Sequence, residues 1–292
     1  MTTVTPTFEA PYVRDDFAAL RGAFVVAPSA DIAIAAPVHA ESSPIFERAA
    51  DQFRILVGRL AAAGVKVATL VEPDATTPLG SAAADLAVVF EDGAFLMRPS
   101  EARRRPEVAL LEAALERANV PVTGRVEAPG LLDGGDVLLS GDTVYIGCAQ
   151  VRSSDVGLRA ALHGNALGRA QLAAHARSKG LKVVEVSMSA AVRSLRAVAS
   201  LLDSQTLLFA PALVDGAAFA GMQTIEAPRG EDYGAGVLAL GNRRVLANLR
   251  FRETIPLLRA AKFAVDAIDL WEFGKAGVTP STLALALKRS PA

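Results

Sequence analysis

The chain has 292 residues, a net charge of −1 and one cysteine. That charge gives no electrostatic reason to bind nucleic acid or an anionic membrane, and a lone cysteine rules out an intramolecular disulfide and fits a reducing cytoplasm. Hydrophobic residues reach 51% with a mean hydropathy of +0.32, yet much of this is alanine. No uninterrupted apolar run of about 18 residues occurs, so no membrane span is expected. The segment Met1 to Glu9 has no basic start followed by an apolar core, so no secretory signal is expected either.

In chain order the apolar stretches pair off. Ala23 to Pro28 reads as a strand. Ile45, Ala49, Phe53, Leu56 and Leu60 then share one helical face, and Gly64 stops that helix before a strand over 65–70. Asp85 opens a hairpin over 85–99 that turns at Glu91-Asp92-Gly93. Pro106 opens a helix with Val108, Leu111 and Leu115 in one stripe, and a short strand starts at Val120. A second hairpin over 136–147 turns at Ser140-Gly141-Asp142, and a long insertion over 158–179 ends at Gly180 before a strand over 181–186. The third hairpin, 197–211, turns at Asp203-Ser204 and is followed by a weak insertion over 212–219. The fourth, 236–249, turns at Gly241-Asn242, with a helix over 253–262 and a strand over 264–268. The last strand, 282–287, forms the fifth pair with the strand at 23–28.

The unit is hairpin, helix, strand, and it recurs five times. A repeat of roughly 40 to 60 residues signals radial or stacked repetition. Closure of the fifth unit by the two ends of the chain points to a ring in one α/β domain spanning 1–292, with helices outside. No linker divides it. In a ring, Asp85, Asp133, Ser194, Asp232 and Ser281 are expected at one mouth.

The most specific local motif is Leu132-Asp133-Gly134-Gly135-Asp136-Val137. Two glycines let the backbone turn sharply and bring both acids near a ligand. The alternative, that both aspartates cap turns, stays open. Arg103-Arg104-Arg105, the only basic run, reads as a solvated face before a helix. His39, His163 and His175 fall in connections or on helices and read as surface or satisfied residues. Cys148, at a strand end, reads as a buried structural cysteine. No metal-ligand cluster or phosphate loop is visible, so no metal or other cofactor is expected.

Asp85-Leu-Ala-Val-Val, Met97-Arg98-Pro99 followed by Arg104-Arg105-Pro-Glu-Val, and Leu132-Asp133-Gly-Gly-Asp-Val together resemble the dimethylarginine dimethylaminohydrolases. These belong to a guanidine-modifying superfamily with arginine deiminases and amidinotransferases. The resemblance runs from about residue 44 to the C-terminus and implies a five-bladed α/β propeller, the pentein fold, in agreement with the five units. It implies an essential acid at Asp133, substrate-binding residues at Asp85 and Asp136, and carboxylate-clamping arginines at Arg98 and Arg152. It also implies a cysteine nucleophile near the C-terminus, where Ser281 is the nearest counterpart, and a histidine entering the third hairpin, where this sequence has Ser194. A serine hydroxyl needs a general base, and Ser194 cannot be one. Ala84 stands where an adjoining glutamate is implied, and Leu79 near a further acid.

The expected function is therefore that of a diverged, cytoplasmic member of this superfamily. It is expected to bind or convert a small, carboxylate-bearing, amino-acid-like molecule, with its thiol hydrolase chemistry lost. Two alternatives remain. One is an active enzyme, either of dimethylarginine dimethylaminohydrolase-like chemistry or of acid–base, non-thiol chemistry that uses Asp133 and Asp85 with Ser281 or Ser194. The other is a structural subunit of a homo-oligomer.

Overall fold

The computed structural model describes residues 6–38, 42–70, 77–150 and 163–290. Strand β1 (Ala19–Val26) runs parallel to β2 (Lys66–Leu70), and helix α1 (Phe46–Ala62) connects them. The helix buries Ala49, Phe53, Leu56 and Leu60, the stripe its 3.6-residue period dictates. Gly64, at φ 83°, ends it in a conformation glycine adopts without strain. Ile45, expected on the same face, instead precedes the helix as its N-cap, with extended backbone outside the helical period, and is 39% exposed.

The hairpin of β3 (Ala87–Phe90) and β4 (Gly93–Leu96) is buried at every position. Unbroken runs such as Ala-Val-Val-Phe suit a strand covered on both faces. Helix α2 (Glu107–Arg117) packs on β4 and leads to β5 (Val122–Arg125), a more exposed strand parallel to β4. The plan repeats in β6 (Val137–Ser140), β7 (Thr143–Gln150), α3 (Ala166–Ser178) and β8 (Lys182–Ser189). It repeats again, after the short helix α4 (Leu195–Val198), in β9 (Ala199–Leu201), β10 (Thr206–Phe209) and β11 (Gln223–Glu226). Here the weak insertion forms only a 3-10 turn, Gly216–Phe219. The fourth repeat is β12 (Leu238–Gly241), β13 (Arg244–Asn248), α5 (Thr254–Ala260) and β14 (Ala264–Ile268).

Two further helices follow, α6 (Trp271–Lys275) and α7 (Pro280–Leu283), before β15 (Ala284–Ser290) pairs antiparallel with β1. The described residues thus form five three-stranded sheets, each an antiparallel pair with a parallel third strand on the pair's middle member. Helix α7 replaces the expected start of the last strand. Thr279 and Thr282 exchange bonds in a capping box, with Pro280 at the first helical position.

All five sheet groups contribute to one narrow cavity. Ala87 comes from β3, Leu139 from β6, Arg196 from the entry to β9, Leu238 from β12 and Ala284 from β15. The segment before β1 crosses one end of it. Tyr12 and Val13 donate to the carbonyls of Glu91 and Phe90, and Asp16 exchanges bonds with the backbone of Leu139. Asp16 also takes both bonds of the Arg196 guanidinium, at 2.8 and 2.9 Å. Beside this pair, buried Arg289 donates to the carbonyls of Ala18 and Ala239.

Candidate functional site

Each innermost strand is entered through a short turn or helix, and these entries gather at one end of the molecule. The turn over 83–85 touches the turn over 134–136 and α7, while α4 touches the turns at 134–136 and 232–235 and α7. The expected mouth is therefore assembled from entries distant in sequence.

The two glycines of the Asp133–Asp136 motif explain how closely the entries approach. A Cβ on Gly134 would lie 2.2 Å from the Ala84 carbonyl oxygen, and one on Gly135 would lie 2.3 Å from Asp85 Oδ1 and 3.0 Å from Ser194 Oγ. Only residues without a side chain fit there. Asp85, Gly135 and Ser194 are consequently in one place.

Asp85 is buried between two arginines. Arg104 Nη1 donates to its Oδ2 at 2.5 Å, and Arg193 Nη2 donates to the same oxygen at 2.7 Å. Oδ1 has no partner. Arg104 is 1% exposed and also donates to Glu107 through Nε and Nη2 and to the Ala82 carbonyl. This corrects the reading of Arg103-Arg104-Arg105 as one solvated face: Arg103 is exposed, but Arg104 is the most buried charge of the three. Burial works against its charge, yet Asp85 and Glu107 outweigh this and hold it firmly protonated. The missed signal was Glu107, three residues on at helical spacing, where it can follow an arginine inward.

Asp133 accepts from the backbone N–H and the hydroxyl of Ser100. Its carboxyl keeps part of its surface open but is raised to about 7, first by desolvation and then by the charges of Asp85 and Asp136; the Ser100 bond and Arg104 pull the other way. Asp136 accepts from the Leu195 N–H at 3.1 Å, so it also fixes the start of α4. Neither carboxylate caps its own turn: each accepts from a backbone N–H of a distant segment, Ser100 for Asp133 and Leu195 for Asp136.

From its sequence context His163 reads as a surface or satisfied residue. The structure instead places it beside the mouth: Nδ1 is buried without a hydrogen-bond partner, 3.7 Å from Asp136 Oδ2, and Nε2 is 3.2 Å from the Ala190 carbonyl. Burial tends to lower its pKa, but Asp136 and the Ala190 carbonyl prevail and raise it. Nothing in its local sequence marks this. His175 does fit the satisfied reading, against Thr123 and the rings of Phe90 and Phe95, whereas His39 lies outside the described residues.

Ser194 is 2% exposed, with a hydroxyl that has no partner. Ser281 is buried too, and its hydroxyl donates to the Arg196 carbonyl at 2.7 Å and meets Thr279 Oγ1 at 3.0 Å. Asp232 lies at the turn entering β12 and is raised by desolvation. Arg98 donates to the Gly130 carbonyl and lines a groove with Arg105, Glu112 and Arg125, a lining that contains none of Asp85, Asp133 and Ser194. Arg152 lies outside the described residues. Ala84 is buried and Leu79 packs against the core. Cys148 stands on β7, half-buried rather than buried, with Gln150 Nε2 3.4 Å from its sulfur. Among the described residues no group of three His, Cys, Asp or Glu could hold a metal, and no helix is long and apolar enough to cross a membrane. The mouth is thus a buried acid cluster with two arginines, one histidine and two hydroxyls.

An α/β arrangement of this kind is shared with solved enzymes of guanidino chemistry. One is a dimethylarginine dimethylaminohydrolase from Pseudomonas aeruginosa, a cysteine-to-serine mutant in complex with citrulline: it is 23% identical, with 91% of this chain and 99% of that one covered at a TM-score of 0.79. Another is an amidinotransferase from Microseira wollei, 14% identical over 96% and 98% of the two chains, with a TM-score of 0.76. No protein-family model matches. In sequence, the chain is 32% identical over 205 residues to the N(G),N(G)-dimethylarginine dimethylaminohydrolase of Streptomyces coelicolor, covering 70% of this chain and 73% of that protein. The chain belongs to the dimethylarginine dimethylaminohydrolase family.

Proposed function

We propose that this family member closes its five sheets into a propeller whose mouth binds a small, carboxylate-bearing, amino-acid-like molecule without thiol-dependent hydrolysis. The relatives' names and the citrulline complex supply the ligand class. The observation that carries the loss of chemistry is the state of the two serines at the positions implied for the family's histidine and cysteine. The Ser281 hydroxyl is spent on the Arg196 carbonyl, and Ser194 has no base bonded to its hydroxyl. The one thiol of the chain, Cys148, is on a strand and faces Gln150.

A second reading is favoured by a different observation. A carboxyl raised to about 7 is poised to exchange a proton near neutral pH. Asp133, with Asp136 and His163 beside it, supports acid–base chemistry that needs no thiol.

A thermal-shift and calorimetric screen of arginine, methylated arginines, citrulline and other amino acids, run beside a citrulline assay, decides between them. Stabilisation without product is the expected result. Citrulline release that survives Cys148→Ala and stops with Asp133→Asn would establish the second reading. No shift and no product would leave the structural-subunit alternative.

A further inference from the structure

We propose that Arg193 sets the specificity of the mouth: its guanidinium fills a cation seat on Asp85, excluding external guanidinium and amidinium groups, and trimming Arg193 turns that seat into a binding site for them. The inference deepens the small-molecule reading of the mouth, and rests on it for its biological meaning.

The two arginines on Asp85 differ in kind. Arg104 is 1% exposed and is tied by further bonds to Glu107 and Ala82, so it belongs to the framework. Arg193 comes from the connection between β8 and α4, and its side chain retains 15% exposure. Its guanidinium has Asp85 as its partner among the described residues, and its Nε is buried without one. Arg104 is bonded through Nε, Nη1 and Nη2, whereas the Arg193 guanidinium is held by a single carboxylate oxygen.

The route of the side chain is also built. Arg193 N–H meets the Tyr233 hydroxyl at 3.3 Å. A Cβ on Gly277 would lie 3.1 Å from Tyr233 Cε1, 2.9 Å from Val38 and 3.6 Å from Arg193 Cδ. Gly277, at φ 73°, and the tyrosine ring together flank a slot along which the arginine stem lies. The slot ends at a buried carboxylate. That is a guanidinium-binding site whose occupant is the chain itself.

Charge and tethering explain the exclusion. Arg193 Nη2 occupies Asp85 Oδ2 beside the Arg104 guanidinium, so a further cation at that oxygen would meet two like charges. An incoming guanidinium must therefore expel Arg193 rather than join it. A group attached by a short tether competes at an effective concentration of roughly millimolar or more. Ligands at micromolar concentration lose that competition, while a neutral head group does not enter it. With Arg193 gone, Asp85 keeps Arg104 but loses its second donor, and its Oδ1 is already unpaired. A planar cation can then make charge-assisted bonds to it.

The test uses Arg193→Ala, Arg193→Ala/Asp85→Asn and the wild type, with guanidinium chloride, methylguanidinium chloride and urea at 1–20 mM, far below denaturing concentrations; the range is set by the roughly millimolar tether competition. Calorimetry and thermal melts are read. The single variant is expected to bind both cations and to melt several degrees higher in their presence. Urea, of the same shape but uncharged, should have no effect, the double variant should not respond, and the wild type should need about tenfold more cation than the single variant for an equal shift. A single variant that ignores the cations, or a wild type that responds equally, overturns the proposal. If Arg193→Ala does not fold, 15N NMR of the wild type decides: an Arg193 guanidinium that rotates freely overturns the proposal, and a restrained one supports it. Failure of the wild type to bind any amino acid, beside guanidinium capture by the variant, would sink the ligand reading and leave the seat standing. The opposite pattern would sink the seat alone.

Discussion

Asp133→Asn tests the electrostatics of the mouth directly. The Asp133 carboxyl is raised from 3.8 to about 7, so the folded protein holds its proton more tightly than the unfolded chain. Below the unfolded value both states are protonated and the group costs nothing. As pH rises from about 4 through about 7 the cost of ionising it in the fold accumulates, and above that it is complete. Three pK units correspond to roughly 4 kcal/mol at most, and partial exposure and local relaxation reduce this to about 2. Asparagine cannot ionise, yet its Oδ1 can still accept from the Ser100 N–H and hydroxyl. The variant is therefore expected to melt within a degree or so of the wild type near pH 4 and about 3 °C higher at pH 8, on a scale of about 1.6 °C per kcal/mol for a chain of this length. Paired thermal melts across pH 4–8 measure this. A difference that does not change with pH, or an asparagine variant less stable at pH 8, would refute the assignment of a protonated carboxyl.

Three other outcomes follow from the same contacts. Arg104→Met should destabilise the protein by about 3–5 kcal/mol, because it strands Asp85 and Glu107 in the interior, and denaturant titration reads the loss. Gly135→Ala should cost about 1–3 kcal/mol, since its methyl meets Asp85 Oδ1 at 2.3 Å, and the same titration checks it. Arg98→Ala should leave the denaturation midpoint unchanged but weaken a carboxylate-bearing ligand about tenfold to a hundredfold by calorimetry. Unaltered affinity would remove the Arg98 groove from the ligand site.

The repeat was legible because its physics is local. Inner strands such as Val88-Val89-Phe90 are unbroken apolar runs, and turn residues such as Gly93 and Asn242 sit at positive φ where the hairpins reverse. Asp85 and Ser194 lie at the entries to such strands, and the entries meet at Gly135. What escaped was set by tertiary contact. Arg104 looks solvated within a basic triplet, and only the distant Asp85 draws it inward. His163 carries no periodic or motif signal, and Asp136 defines its setting. The loss of Ile45 from the α1 stripe turns on where a helix starts, a matter of one turn. Helix α7 was readable in principle, since Thr279-Pro280 and Thr282 spell a capped start, but the apolar run beyond it reads equally as strand.

The pairing of β15 with β1 works as a clasp. Ala19 faces Ser290 and Val25 faces Ala284, and Arg289 donates to the carbonyl of Ala18, 271 positions earlier. On the ribosome the first sheet therefore waits, short of a strand, until almost the whole described chain has emerged. Long-range closure of this kind slows folding, because the entropy of the loop must be overcome before any contact rewards it. The same geometry makes the molecule rewirable. With the Arg289 N–H bonded to the Tyr12 carbonyl, the two ends of the described chain run side by side, and a linker from residue 290 back to the segment ahead of Tyr12, with new ends at the Gly141-Asp142 hairpin tip, should give a permuted chain with the same mouth, in which β15 is no longer the last strand to appear.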